Sequence, residues 1–138
     1  MPVHLEHISQ PTPQDWIDLG KIYSDAPQEW LTDANNIQSS LQELLDQGSW
    51  LIAGRFNARL LGAMKAVKDG DTVTLRHFCV RKVTINRGVA HQMLHHMSRW
   101  ADDNRYTLLA KNVPPELASA LINRGFIEKD GDFMRNPE

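Results

Sequence analysis

Apolar residues recur along the chain with two periods, and the changes between them divide it into strands and helices. Val3 to Ile8 alternates weakly and predicts a first strand. Thr12-Pro13-Gln14-Asp15 has the chemistry of a helix start: a hydroxyl N-cap, proline at the first helical position and an acid in the first turn. Trp16, Leu19 and Tyr23 then share one helical face until Asp25-Ala26-Pro27 breaks the run. A second helix carries Ile37, Leu41, Leu44 and Leu45 at helical spacing and stops at Gly48.

From Trp50 the texture changes. Trp50 to Phe56 and Leu60 to Val67 are apolar runs flanking Asn57-Ala58, the pattern of a tight hairpin. Asp69-Gly70-Asp71 is a second turn signal, and Thr72 to Val80 completes a three-strand meander. A long helix is expected from about Gly88, with Val89, Met93, Met97 and Trp100 on its buried stripe. Tyr106 to Ala110 reads as a short buried strand. Pro114-Pro115-Glu116 opens another helix, ending at Arg124-Gly125, and Phe126 to Met134 closes as a hairpin about Asp130-Gly131. The predicted order is βααβββαβαββ. It implies an α/β (α+β) domain spanning residues 1–138, with helices packed on a mixed, mostly antiparallel sheet.

Composition narrows the classes. A chain of 138 residues with 41% hydrophobic positions can bury a core without staples, and its single cysteine, Cys79, leaves no disulfide framework. The mean hydropathy is −0.44 and no apolar run approaches the length of a membrane span. The first residues lack the basic and apolar regions of a secretory signal, so the expectation is a cytoplasmic protein without a membrane partner. The net charge of −2 conceals an asymmetry: residues 1–50 carry eight acids and one base, and residues 51–100 nine bases and two acids. From Thr72 to Ala101 there are Arg76, Arg81, Lys82, Arg87 and Arg99 and no acid. A cationic run in an acidic protein fits a small anionic ligand better than nucleic acid, which favours a basic domain. The alternative is a basic face whose charges pair with the acidic first third.

The informative segment is Val80 to Leu94, which runs strand, basic loop with one glycine, then helix. Backbone N–H groups at a helix start are unpaired and, with the helix dipole, make an anion site. Gly88 lets a phosphate approach, Ala90 keeps the helix thin there, and Arg81, Lys82 and Arg87 add countercharge. The same pattern also describes an ordinary strand-to-helix connection.

Val80 to Leu94, with Arg87-Gly88-Val89-Ala90 at its centre, resembles motif A of the Gcn5-related N-acetyltransferases (GNAT). Asn123-Arg124-Gly125-Phe126 resembles the end of that family's motif B helix, and the helical first third and meander agree. Ile85 stands where the motif has Gln or Arg, which removes one side-chain contribution to a pyrophosphate. The resemblance implies a GNAT fold binding acetyl-CoA or CoA. The pantetheine would run along Phe78, Cys79 and Val80, and the adenosine diphosphate would lie at Thr84, Ile85, Asn86, Arg87, Gly88, Val89 and Ala90, with His91 beside it. A narrower resemblance, carried by Asp18 to Ile22, Arg55 to Leu61 and Val80 to Thr84, is to the PanZ/PanM subfamily. It implies an acetyl-CoA-dependent regulator of aspartate 1-decarboxylase that promotes self-cleavage of the proenzyme in pantothenate and CoA biosynthesis. The partner surface it suggests is Arg55, Phe56 and Asn57 with Arg81 and Lys82 on the rim of the ligand loop. Turn chemistry by itself needs only Asn57.

Acetyl transfer to an amine needs a base and commonly a tyrosine acid. Thr72 to Val80 holds no carboxylate, and Leu121 stands where the GNAT family places its tyrosine. No catalytic residue is therefore assigned. The alternative is a working N-acetyltransferase for a small amine or protein N-terminus that uses His77 or water as base. His91 and His95 lie i, i+4 on one helix, but no Glu follows the first and no third ligand is near, so no metal is expected. Cys79, Trp16, Trp50 and Trp100 are expected in the core, while Trp30 is left open. The loop 81–87, self-repelling and poor in apolar anchors, is expected to tighten only around an anionic ligand.

Overall fold

The computed structural model describes residues 2–25, 37–84 and 87–138, and the side chains of residues 37, 38 and 40 are not among those described. The expectations for Trp30, Ile85, Asn86 and the Ile37 side chain lie outside the described residues. In chain order the elements are β1 (His4–Ile8), α1 (Pro13–Ser24), α2 (Ile37–Asp46), β2 (Trp50–Phe56), β3 (Arg59–Asp69), β4 (Thr72–Val80), α3 (Val89–Asn104), β5 (Thr107–Lys111), α4 (Ala118–Asn123), β6 (Ile127–Lys129) and β7 (Asp132–Arg135). Short 3-10 turns at Lys82–Thr84 and Pro115–Leu117 precede α3 and α4. The strands form one seven-stranded sheet in the order β1-β2-β3-β4-β5-β7-β6. Only the β4–β5 pair is parallel.

Local chemistry accounts for the element ends. Thr12 caps α1 by accepting from the Asp15 N–H at 3.1 Å, and the Asp15 carboxylate accepts from the Thr12 N–H, a reciprocal box. Asn57 and Ala58 both take positive φ, 48° and 67°, the mirror-image turn whose twist matches two antiparallel strands. Gly54 and Gly62 face each other across β2 and β3, and a Cβ on either would come within 2.8 or 2.6 Å of the Met93 sulfur. Their bare backbones let α3 sit close to the sheet. Beneath α3 and α4 lies a core that includes Met64, Val73, Leu75, Phe78, Val80, Met93 and Leu94. Against the other face, α1 and α2 pack Leu19, Ile22, Tyr23 and Leu41 on Leu51, Ala53, Ala63 and Cys79.

Two expectations change. Strand β5 alternates between buried and half-buried positions rather than being buried throughout, because its Leu108 and Ala110 alone face the α3 core. Trp50 and Trp100 are partly buried, packed on the rim of that core rather than inside it, and Trp16 is half-buried against the opposite one.

Candidate functional site

Strand β4 changes phase midway. Val73 and Leu75 face α3, but so do Phe78 and Val80, while Cys79 faces α1. The register slips between Ala63↔Cys79 and Lys65↔Arg76, so three steps along β4 oppose two along β3. The extra residue is accommodated at His77, whose φ is +52°. The bulge follows the last residue of β4 that pairs with β5. Parallel pairing with β5 stops at Arg76↔Lys111, so Phe78, Cys79 and Val80 continue with no strand on that side. Their main-chain groups form an open edge on that side of β4.

That edge leads to the start of α3. The chain turns through Lys82–Thr84, where the Thr84 N–H and hydroxyl both donate to the Arg81 carbonyl, at 2.8 and 2.6 Å. The Arg87 N–H donates to the Thr84 carbonyl at 2.9 Å, and the Lys82 N–H to the Asp25 carboxylate at 3.0 Å. Thr84 is buried. The described part of this loop is held by these hydrogen bonds to its own carbonyls and to Asp25 at the C-terminal end of α1. Gly88 ends the loop in the left-handed region at φ +84° and caps α3 with no side chain, leaving the first N–H groups of a sixteen-residue helix open. Their aligned dipoles are equivalent to about half a positive charge. A narrow cleft of about 70 Å3 lies between Val80, Thr84, Gly88 and His91 on one side and Glu116, Leu117 and Ser119 on the other. Of the residues expected at the ligand, Val80, Thr84, Gly88, Val89, Ala90 and His91 line this cleft, while Phe78 and Cys79 precede it on β4 with their side chains in the two cores and Arg87 precedes Gly88 outside the lining. Glu116 and Ser119 escaped the sequence reading, because only the fold sets the turn before α4 opposite α3.

The basic middle of the chain divides in two. Arg59 grips the buried Asp18 carboxylate at 2.6–3.1 Å, and the Leu60 N–H donates to it at 3.0 Å. Burial works to raise the Asp18 carboxyl, but these donors and Gln14 outweigh it and hold it below the ordinary carboxylate range. Arg55 pairs with Glu6 and with the buried Asp15, and also donates to the Ala58 carbonyl. Arg81 lies 3.7 Å from Asp25. The pairing of basic residues with the acidic first third therefore holds for these three arginines. Arg55, expected at the partner surface, has its guanidinium engaged by the chain's own carboxylates 40 and 49 positions away. Phe56 is half-buried against the α3 core and Asn57 is exposed at the hairpin tip. Lys82 and Arg87 are exposed and have no carboxylate partner among the described residues. The hairpin lies at the sheet end where Arg81 leaves β4, since the Arg81 N–H donates to the Leu61 carbonyl at 2.9 Å.

The groups that could move protons near the β4 bulge are poorly suited to it. Burial, then the Lys65 and Arg76 charges, pushes His77 down to about 4. Burial raises the Tyr23 hydroxyl well above its usual value, and that hydroxyl donates to the His77 carbonyl at 3.2 Å. Cys79 is buried and its thiol is pushed far up, chiefly by burial. It packs in the α1 core, as expected. Leu121 is fully buried. His95 and His96 are exposed on α3, and the described residues contain no cluster of three or more metal-ligating side chains. No helix among the described residues is long and apolar enough to cross a membrane.

Comparison with known proteins identifies the family and the fold. Residues 2–130 match the family described as "Acetyltransferase (GNAT) domain, PanZ". A protein named PanD regulatory factor from Salmonella typhimurium is 35% identical over 97 residues, 70% of this chain and 65% of that protein. The protein of the same name from Escherichia coli K12 matches with the same identity and coverage. The matched segment thus spans slightly under two thirds of these relatives' length. Among solved structures, the solution structure of the E. coli N-acetyl transferase YhhK bound to coenzyme A superposes with a TM-score of 0.69 over 99% of both chains, at 24% identity. The fold is that of the GNAT proteins.

Proposed function

The chain belongs to the PanZ family of GNAT acetyltransferase domains, and from that premise we propose that it binds acetyl-CoA and, so loaded, regulates aspartate 1-decarboxylase. The proposed action is to promote self-cleavage of the decarboxylase proenzyme and to restrain the mature enzyme. The name of the two relatives, PanD regulatory factor, supports this partner. One observation carries the ligand: the bulge at His77 opens the β4 edge at Phe78–Val80 directly beside the uncapped start of α3. The edge can take main-chain hydrogen bonds from an extended amide-bearing arm, as an added strand would. The α3 N–H groups, with Arg87 and Lys82, can take the pyrophosphate. His91 stands on the first turn of α3 beside that anion.

A regulatory rather than catalytic role rests on what surrounds the bulge. An amine acceptor enters as an ammonium with a pKa of about 10, whereas His77 is held near 4. So weakly basic an imidazole is a poor acceptor for that proton. The second reading, N-acetylation of a small amine through an ordered water, keeps the same ligand site. A thiol-release assay over a panel of amines separates the two. Turnover near one per second would establish an ordinary enzyme and overturn the regulatory reading. Acetyl-CoA-dependent cleavage of the proenzyme without thiol release is the result expected.

A further inference from the structure

Towards the far end of α3 from Gly88 lies a second, larger cavity, open to solvent and of about 540 Å3, which the function above leaves unused. Its walls are Leu5 and His7 of β1, Trp50 and Ile52 of β2, and Met97 and Trp100 of α3. Trp100 lies about 16 Å along α3 from Val89 at 1.5 Å per residue. The volume falls within the roughly 300–1,000 Å3 of small-molecule sites.

The chemistry of the walls selects the ligand. Trp50 and Trp100 meet nearly at right angles, with ring centroids 5.7 Å apart and planes inclined by 77°. Together they form an aromatic corner. His7 extends the row at 5.5 Å from Trp50, and Tyr106 at 5.2 Å from Trp100. The protein already uses the last ring of this row to hold a cation: the Lys68 ammonium lies 5.4 Å from the Tyr106 centroid. No lysine or arginine lines the cavity, so an anion finds no permanent countercharge there; the ionisable groups of its wall are Glu6 and the imidazoles of His4, His7 and His96. Glu6 at the rim is paired with Arg55, and His96 Nε2 is within 3.0 Å of the Val3 carbonyl. With His7 packed on Trp50, His4 is the one ionisable side chain of the wall without a partner among the described residues, and the two indoles supply the π surface that attracts positive charge.

We propose that this cavity binds a small organic cation, an ammonium or quaternary ammonium group on a compact apolar frame. The charge rests against the Trp50–Trp100 corner and the frame against Leu5, Ile52 and Met97. Each ring face contributes a factor of about 2 to 30 in affinity, the upper end where the cation is desolvated. The site lies on the opposite stretch of α3 from the phosphate groove, so it is independent of the acetyl-CoA reading.

The test titrates benzyltrimethylammonium and its uncharged isostere, neopentylbenzene, into the whole protein, followed by indole fluorescence and by NMR of the His7 and tryptophan side chains. The expected result is saturable binding of the cation at least about tenfold tighter than the isostere, with shifts confined to this cavity. Trp50→Leu and Trp100→Leu should each weaken the cation about 5- to 30-fold, with the far-UV circular dichroism unchanged. The milder Trp100→Phe keeps a ring and should weaken it only about 2- to 5-fold, which retains a reading if a leucine variant fails to fold. Equal binding of the two probes, shifts located elsewhere, or no saturation by the cation in the millimolar range would each overturn the proposal.

Discussion

Replacing Gly88 by glutamate, with alanine measured beside it, separates the electrostatics of the α3 start from its backbone geometry. Gly88 sits at φ +84°, where any L side chain costs about 1–2 kcal/mol. Space is not the constraint, since a Cβ there would find its nearest neighbour, Gln92 Nε2, at an ordinary 3.9 Å. Gly88→Ala should therefore lower stability alone, reducing the melting temperature by roughly 3–10 °C for a chain of this size. Its acetyl-CoA affinity should change less than about threefold, because the strain is present in both free and bound protein. Gly88→Glu carries the same strain and adds a carboxylate beside the pyrophosphate. Two unit charges about 4 Å apart repel by about 4 kcal/mol at an effective dielectric of 20, close to a thousandfold in affinity. Calorimetric titration of acetyl-CoA reads the affinities, and differential scanning fluorimetry reads the stabilities. A glutamate variant binding within tenfold of the alanine variant, or an alanine variant losing as much as the glutamate, would refute the placement of the phosphates.

Gly62→Ala should destabilise by about 1–3 kcal/mol in chemical denaturation, because its Cβ would meet the Met93 sulfur at 2.6 Å and Val80 at 2.9 Å. Pairing it with Met93→Ala should cost less than the sum of the two single changes, and strict additivity would contradict the contact. Asp18→Ala removes the acceptor of the buried Leu60 N–H and should cost about 1–3 kcal/mol, while Leu60→Ile leaves that bond intact. Asp102 is held at about 2, first by the Arg135 hydrogen bonds and then by the Glu138 N–H, against an ordinary 3.8. A depressed carboxyl stabilises the fold above its unfolded pKa and loses that contribution as pH falls through the folded value. The melting-temperature gap between the wild type and Asp102→Asn should therefore shrink from about pH 4 to pH 2, and a constant gap would contradict it. Asn57→Gly keeps the positive φ of the hairpin while deleting the exposed amide. It should weaken the decarboxylase complex and leave acetyl-CoA affinity unchanged, as read by parallel calorimetric titrations.

What the sequence disclosed was mainly local chemistry. The Thr12–Asp15 box, the Asn57-Ala58 turn, the Trp50–Phe56 strand and the Gly88 start of α3 are each set by residues within a few positions, and each appears as expected. The bulge that opens β4 left a trace too, in apolar positions that pass from Val73 and Leu75 to Phe78 and Val80. It went unread because alternation across so short a run looks continuous. The role of Arg55 could not be read, since its partners Glu6 and Asp15 sit on other elements and only the fold brings them to the guanidinium. For the same reason Trp50 and Trp100 looked like core. Their helical and strand phases are right, but the β1 edge of the sheet leaves a cavity beside them.

The central claim is that acetyl-CoA and the decarboxylase are recognised by one coupled surface, with Lys82 and Arg87 on the ligand loop and the Asn57 hairpin at the same end of the sheet. Linkage then requires each ligand to tighten the other by the same factor. The direct measurement is acetyl-CoA affinity by calorimetry, with and without saturating aspartate 1-decarboxylase proenzyme. The account predicts binding about 5- to 150-fold tighter in the presence of the partner. An identical affinity in the two titrations would contradict it.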